Sequence, residues 1–180
     1  NGASRAQRRR PELIAAFAHR AAELGQVLAA MDEIESAERR EWNDALALRY
    51  ADLGPAELPA RTRKAESWLA VAPNSAALAT ALGRLCAKQS LWGKAEQYLE
   101  RALALEETPL AWETLGDCCV GSGDPETANR CYANALRLAR GEATEPVGSH
   151  ALRGPVDTRA LAFEERTEHG VPRLPGVRSG

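Results

Sequence analysis

A repeated pattern of small and apolar residues constrains the fold of this chain most. The pattern occurs twice within residues 76–142, and the second copy is displaced from the first by 33 positions. The first copy contains Leu82, Gly83, Cys86, Ala95, Leu99 and Ala102, which correspond to Leu115, Gly116, Cys119, Ala128, Tyr132 and Ala135 in the second. A period of this length indicates units that each expose an apolar side and bury it by stacking on their neighbours. The chain is therefore predicted to form an array of such units.

The spacing within each copy predicts a pair of helices. Leu82 and Leu99 fall on the apolar sides of two helices with 3.6 residues per turn. Gly83 leaves room for the partner helix to approach, and Ala95 is expected to supply the matching small surface; Gly116 and Ala128 repeat this arrangement. A period near 34 residues with these positions is typical of the tetratricopeptide (TPR) repeat, whose helix pairs stack into a curved solenoid.

Two weaker copies precede the clear ones. Residues 11–41 place Phe17 and Ala18 at the Leu-Gly position, and the second helix of this unit has Ala30, Ile34 and Ala37. The next unit is irregular, with helices predicted over 43–52 and 62–71 and a proline-containing connector between them. The fold prediction is thus all-α: a TPR-like right-handed superhelix of about four antiparallel helix pairs over residues 11–141, followed by an irregular tail.

Both ends of the chain differ from this array. Residues 1–10 form a basic N-terminal arm, interpreted either as a solvated helix start or as a segment that seeks phosphate on a membrane or nucleic acid. Residues 142–180 are rich in Gly and Pro, with a possible short helix near 156–166. This tail is predicted to be loose coil, or to fold back or dock on a neighbouring copy and so cover exposed helix surface.

Composition excludes some classes of function. Charged residues make up 27% of the chain and the net charge is −2, so there is no overall positive field of the kind that nucleic-acid binders use. No apolar run approaches the length of about 18 to 20 residues that spans a bilayer. The cysteines, Cys86, Cys118, Cys119 and Cys131, lie inside the two clear repeats and are interpreted as buried packing residues in a reducing compartment.

Three segments resemble a known family. They are Arg61-Thr62-Arg63-Lys64-Ala65-Glu66-Ser67-Trp68-Leu69, Ala81-Leu82-Gly83-Arg84-Leu85-Cys86 and Leu91-Trp92-Gly93-Lys94-Ala95-Glu96-Gln97-Tyr98-Leu99-Glu100. They are similar to the C-terminal TPR region of HemY-type proteins, proteobacterial inner-membrane proteins linked to haem (protoporphyrin) metabolism. The resemblance covers residues 11–141 and implies a domain associated with the inner membrane through an N-terminal anchor absent from this chain. It implies no catalytic residues; the cysteines favour the cytoplasmic side.

The concave face of such a solenoid is lined by first-helix residues that are not used in packing. Counting along the repeats selects Glu12, His19, Thr80, Arg84, Lys88, Glu113 and Asp117 as partner-binding residues. Arg84 and Lys88 lie one helical turn apart and could clamp a carboxylate or the C-terminus of a partner. Glu113 and Asp117 repeat that spacing with the opposite sign, so a peptide with both charges would suit the face. The alternative for each residue is a solvated surface position.

The predicted function is a non-enzymatic scaffold that binds a peptide or protein in the concave groove, with no cofactor, no metal and no nucleic acid. No nucleophile elbow and no phosphate-binding glycine loop occur, and His19, His150 and His169 are too sparse for a metal triad. One alternative is a haem or porphyrin carrier in which Cys118, Cys131 or a histidine is an axial ligand. Another is self-association through the C-terminal tail.

Overall fold

The computed structural model of the chain describes residues 10–147, and every regular element in that part is an α-helix. The helices are α1 Pro11–Glu23, α2 Val27–Glu38, α3 Asp44–Ala51, α4 Leu58–Trp68, α5 Ala76–Ala87, α6 Trp92–Leu105, α7 Pro109–Ser122 and α8 Pro125–Ala139. The all-α prediction is confirmed. The basic arm up to residue 9 and the tail from residue 148, including the possible helix at 156–166, lie outside the described residues.

The helices pack in a regular order along the chain. Within the first, third and fourth pairs, α1 packs on α2, α5 on α6 and α7 on α8. The first helices of successive pairs also contact one another, α1 with α3, α3 with α5 and α5 with α7. The second pair departs from this scheme, because α3 and α4 have little mutual contact and both pack on α5.

Side-chain caps fix where several helices begin. Asn43, Ser75, Thr108 and Asp124 each accept a hydrogen bond from the backbone N–H three residues further on. Such a bond satisfies one of the N–H groups that have no partner within the helix. The boundaries predicted from these residues agree with the structure to within one residue.

The start of α4 was predicted wrongly. This helix begins at Leu58 rather than at residue 62, because Pro59 lies in its first turn instead of breaking the chain there. A proline costs nothing at this place, since its missing N–H would have had no partner within the helix. Glu57 precedes the helix with a left-handed backbone (φ 56°).

Close contact within each clear pair depends on its glycine. A Cβ atom at Gly83 would lie 2.5 Å from Cγ of Leu99, and one at Gly116 would lie 2.5 Å from Cε1 of Tyr132. The role predicted for the glycines is confirmed, but a small residue here faces a large one rather than another small one. In the first pair Ala18 and Ile34 have the same separation in sequence as Gly83 and Leu99, and both are fully buried.

The first pair differs from the repeat pattern at Phe17. This side chain is 50% exposed, whereas Leu82, at the corresponding position of the third pair, is fully buried in a cluster that includes Tyr50 and Leu46 of α3. A residue at this position therefore packs against the preceding first helix. Phe17 has no such helix to pack against among the described residues, because α1 is the first of them. Leu13, Leu24 and Leu28 are also largely exposed at this end. Within residues 10–147 the helices are all too short or too polar to cross a lipid bilayer.

Candidate partner-binding surface

Four of the predicted site residues are exposed on first helices. Glu12 and His19 lie on α1, where Nε2 of His19 is 3.4 Å from Oε1 of Glu23. Glu113 and Asp117 lie one turn apart on α7, as predicted. These four side chains are accessible to a partner.

Thr80 does not belong to this surface. The residue is only 3% exposed, and its hydroxyl donates to the carbonyl oxygen of Ala76 at 2.8 Å. Threonine often makes this bond inside a helix, since it satisfies the hydroxyl without leaving the helix surface. The assignment of Thr80 to the partner-binding face was therefore wrong about its accessibility.

Arg84 and Lys88 do hold a carboxylate, but it belongs to this chain. The two guanidinium nitrogens of Arg84 lie 2.7 and 2.8 Å from the carboxylate oxygens of Asp52 at the end of α3. Nζ of Lys88 lies 3.6 Å from the same carboxylate and donates to the carbonyl oxygen of Ala51. Burial lowers the pKa of Lys88, and the charge of Asp52 opposes that effect. The structure thus brings Arg84 and Lys88 together, around a group from the preceding first helix.

The sequence analysis missed Arg61, which lies fully buried behind this cluster. Its guanidinium donates to the carbonyl oxygens of Tyr50, Gly54 and Ala56, at 2.9 Å for Tyr50. These carbonyls belong to the end of α3 and to the connector, where no helical partner exists for them. The available signal was the spacing of Arg61, Ala65 and Trp68, which puts an arginine on the buried stripe of α4 beside an irregular connector.

The acidic pair on α7 stays open to solvent. Glu113 makes no ion pair within residues 10–147, and Oδ1 of Asp117 accepts a hydrogen bond from the hydroxyl of Tyr132 at 2.8 Å. Burial, reinforced by Asp117, raises the pKa of Tyr132 to about 12. The tyrosine therefore remains a neutral donor at physiological pH and leaves the negative charge of Asp117 in place.

A second residue missed from the sequence is Glu38, at the end of α2. It is 6% exposed; Oε2 accepts from the backbone N–H of Asn43 at 3.0 Å, and Oε1 has no hydrogen-bond partner in the described part of the chain. Burial raises the pKa of Glu38 to about 7. A cleft of about 460 Å³ lies nearby, lined by Pro11, Ile14, Ala37, Arg40, Glu41, Asn43 and Leu46.

The cysteines are packing residues in this structure. Cys86, Cys118, Cys119 and Cys131 are all free thiols and fully buried. Burial raises the pKa of Cys118 to about 12, which disfavours the thiolate of this residue, whereas the hydrogen bond with Cys119 lowers the pKa of Cys131. Between residues 10 and 147 there is no group of three His, Cys, Asp or Glu side chains arranged to hold a metal ion. His150 and His169 lie outside the described residues, so only the cysteines and His19 of the proposed haem ligands are placed.

Comparisons of the chain with models of protein families, with curated protein sequences and with solved structures find no match.

Proposed function

We propose that this chain is a non-enzymatic scaffold of the TPR type, which binds a peptide or protein partner on the face formed by α1, α3, α5 and α7. The contacts between successive first helices are the observation that carries the proposal, because they bring one face of each helix pair into a common row. Solenoids of stacked helix pairs use such rows as extended binding surfaces.

The charges on this face favour a partner with basic groups. Asp52 already binds both guanidinium nitrogens of Arg84 and lies 3.6 Å from Nζ of Lys88, so an acidic ligand would have to compete with Asp52 for these cations. The carboxylates of Glu113 and Asp117 are exposed and one turn apart, a spacing at which one lysine or arginine can contact both. The partner proposed here therefore presents a basic side chain to α7.

The resemblance to HemY-type proteins extends the proposal to the biological setting. In that setting the scaffold belongs to an inner-membrane protein, and its partner is a component of haem biosynthesis or of a membrane assembly. The haem-carrier alternative gains no support from the described cysteines, since all four are buried.

Selection of peptides from a random library on the immobilised chain tests the proposal. We expect the enriched peptides to contain lysine or arginine and to lose at least tenfold in affinity when Glu113 and Asp117 are both replaced by lysine. The matched control replaces Glu100 and Glu106, two exposed acids of α6 and its C-terminal cap, by lysine. This control changes the net charge equally and should leave the affinity within about twofold, as expected for surface charges away from a contact.

Equal loss of affinity in both double variants would show that only net charge matters, and the proposed surface would be abandoned. Failure to enrich any peptide would count against a peptide-binding face altogether. Replacing Arg84 and Lys88 by glutamate is a poor probe of partner binding, because these changes also break the contacts with Asp52 and Ala51 that join α5 to α3.

A further inference from the structure

The side chain of Asn134 pairs with the backbone of a segment that follows the last helix. Its Nδ2 donates to the carbonyl oxygen of Glu145 at 2.8 Å, and its Oδ1 accepts from the backbone N–H of the same residue at 2.8 Å. Asn134 lies in the middle of α8 and is fully buried. The two bonds reproduce the way in which a neighbouring β-strand pairs with one residue of an extended chain.

Other side chains, from α8 and from Glu107 before α7, contact residues 144–147 of this segment. Arg137 forms an ion pair with the carboxylate of Glu145 at 2.5 Å, and Arg130 donates to the carbonyl oxygen of Pro146 at 3.0 Å. The hydroxyl of Thr144 donates to Glu107 at 2.7 Å. Val147 packs against the apolar cluster of Trp112, Cys131 and Ala135.

These contacts describe a recognition pattern. The backbone bonds to Asn134 would accept any extended residue, because every residue except proline has one N–H and one carbonyl. Arg137 adds a preference for an acidic side chain at this residue. The cluster that receives Val147 adds a preference for an apolar side chain two positions later, on the same side of an extended chain. None of the contacts requires the peptide to be covalently joined to α8.

We propose that this face of α8 is a binding site for extended peptides with an acidic residue and, two positions later, an apolar residue, and that Thr144–Val147 of this chain occupies it as an intramolecular ligand. This site is separate from the face formed by α1, α3, α5 and α7, called the first-helix face below, and it uses different residues. A short connection such as Arg140–Ala143 gives a tethered ligand a high effective concentration, so a free peptide competes poorly until the tethered segment is displaced.

The test uses the full chain with its own segment disabled. Glu145→Pro removes both the N–H that Asn134 binds and the carboxylate that Arg137 binds, and Val147→Asp removes the apolar contact. The probe is a labelled peptide, Glu-Ala-Thr-Glu-Pro-Val, with acetyl and amide ends, and binding is measured by fluorescence anisotropy. We expect the disabled chain to bind this peptide at least tenfold more tightly than the original chain does.

Further substitutions in the disabled chain identify the site. Asn134→Ala should reduce the affinity for the peptide at least tenfold. If this variant folds poorly, Asn134→Asp takes its place: it keeps the acceptor, loses the donor and should also reduce the affinity. Asn129→Ala is the matched control. Asn129 is exposed and lines, together with Asn134 and Arg137, the cleft of about 210 Å³ beside the segment, but it makes no hydrogen bond to residues 144–147, so the affinity should stay within twofold. Glu113→Lys should also leave it unchanged, which separates this site from the first-helix face.

Absence of binding to the disabled chain at peptide concentrations up to about 1 mM, the range of effective concentrations that short tethers supply, would overturn the proposal. The segment would then be only a covering for the end of the array. Equal binding of a peptide with the same residues in scrambled order, or equal binding after Asn134→Ala, would overturn it as well.

Discussion

The buried carboxyl of Glu38 makes the stability of this chain depend on pH in a direction opposite to that of most acidic residues. Burial raises the pKa of Glu38 from 4.5 to about 7; the nearby charge of Asp44 adds to the rise, and the bond from the N–H of Asn43 reduces it. The folded chain therefore binds more protons than the unfolded chain between these two pH values. The contribution of Glu38 to the free energy of unfolding therefore falls as the pH rises from about 4.5 to about 7 and stays constant above that range.

At 1.36 kcal/mol per pKa unit, the full effect corresponds to about 3 kcal/mol. Glu38→Gln removes it, because glutamine is neutral at every pH and its oxygen can still accept from the N–H of Asn43. The free energy of unfolding of this variant should exceed that of the original chain by less than about 1 kcal/mol at pH 5 and by about 2 to 3 kcal/mol at pH 8.5. Urea unfolding followed by circular dichroism at the two pH values measures both differences.

Glu41→Gln provides the control, since Glu41 is exposed and lies only three residues away. Its effect should be small, within about 0.5 kcal/mol, and nearly the same at both pH values. If Glu38→Gln changes the free energy of unfolding by the same amount at pH 5 and pH 8.5, the carboxyl titrates normally in the folded chain. The reasoning from its burial would then be refuted.

Three further predictions follow from the packing. Arg61→Met should lower the free energy of unfolding by about 3 kcal/mol or more, since each buried carbonyl left without a donor costs about 1 to 3 kcal/mol. Arg63→Met, at an exposed site on the same helix, should cost little. Equal losses in urea unfolding would refute the structural role of Arg61. Gly83→Ala should lower the free energy of unfolding by about 1 to 3 kcal/mol, because the new Cβ would overlap buried Leu99. Gly116→Ala should lower it less, because Tyr132 is partly exposed and its ring can move. A larger loss for Gly116→Ala than for Gly83→Ala would contradict this explanation. The four thiols should react with Ellman's reagent at pH 8 only when the chain unfolds, and fast labelling of the native chain would show that the cysteines are not buried.

The regular part of the fold was predictable because local chemistry and repeat spacing agree there. The caps at Ser75, Thr108 and Asp124 fix helix starts, and the spacing of Gly83 and Gly116 from their partners fixes how two helices meet. Each of these features belongs either to a helix end or to the repeat pattern, and both can be recognised from the order of residue types. Most of α1, α2 and α5 to α8 could therefore be read from the sequence.

The connector of the second helix pair and the start of α4 could not be predicted in the same way, because polar contacts from other helices hold this region. The connector between α3 and α4 is held by Arg61 from the following helix and by Arg84 and Lys88 from the next pair. Whether a cation lies in solvent or binds a carbonyl depends on where distant elements bring it, and no local propensity gives that information. Asn134 was missed because its partner, Glu145, lies in irregular chain that follows the repeats and is not part of their pattern.

The position of Asp52 bears on which partner can be proposed for the face formed by α1, α3, α5 and α7. The sequence predicted that Arg84 and Lys88 would clamp the carboxylate of a guest, but a guest carboxylate can reach them only by displacing Asp52 from its contacts at 2.7 and 2.8 Å. Displacement would leave the charge of Asp52 beside the end of α3, where the helix dipole is also negative. A basic guest at Glu113 and Asp117 meets no such cost, because those carboxylates are exposed. The proposed preference for a basic partner thus rests on the same ion pairs that join α3 to α5.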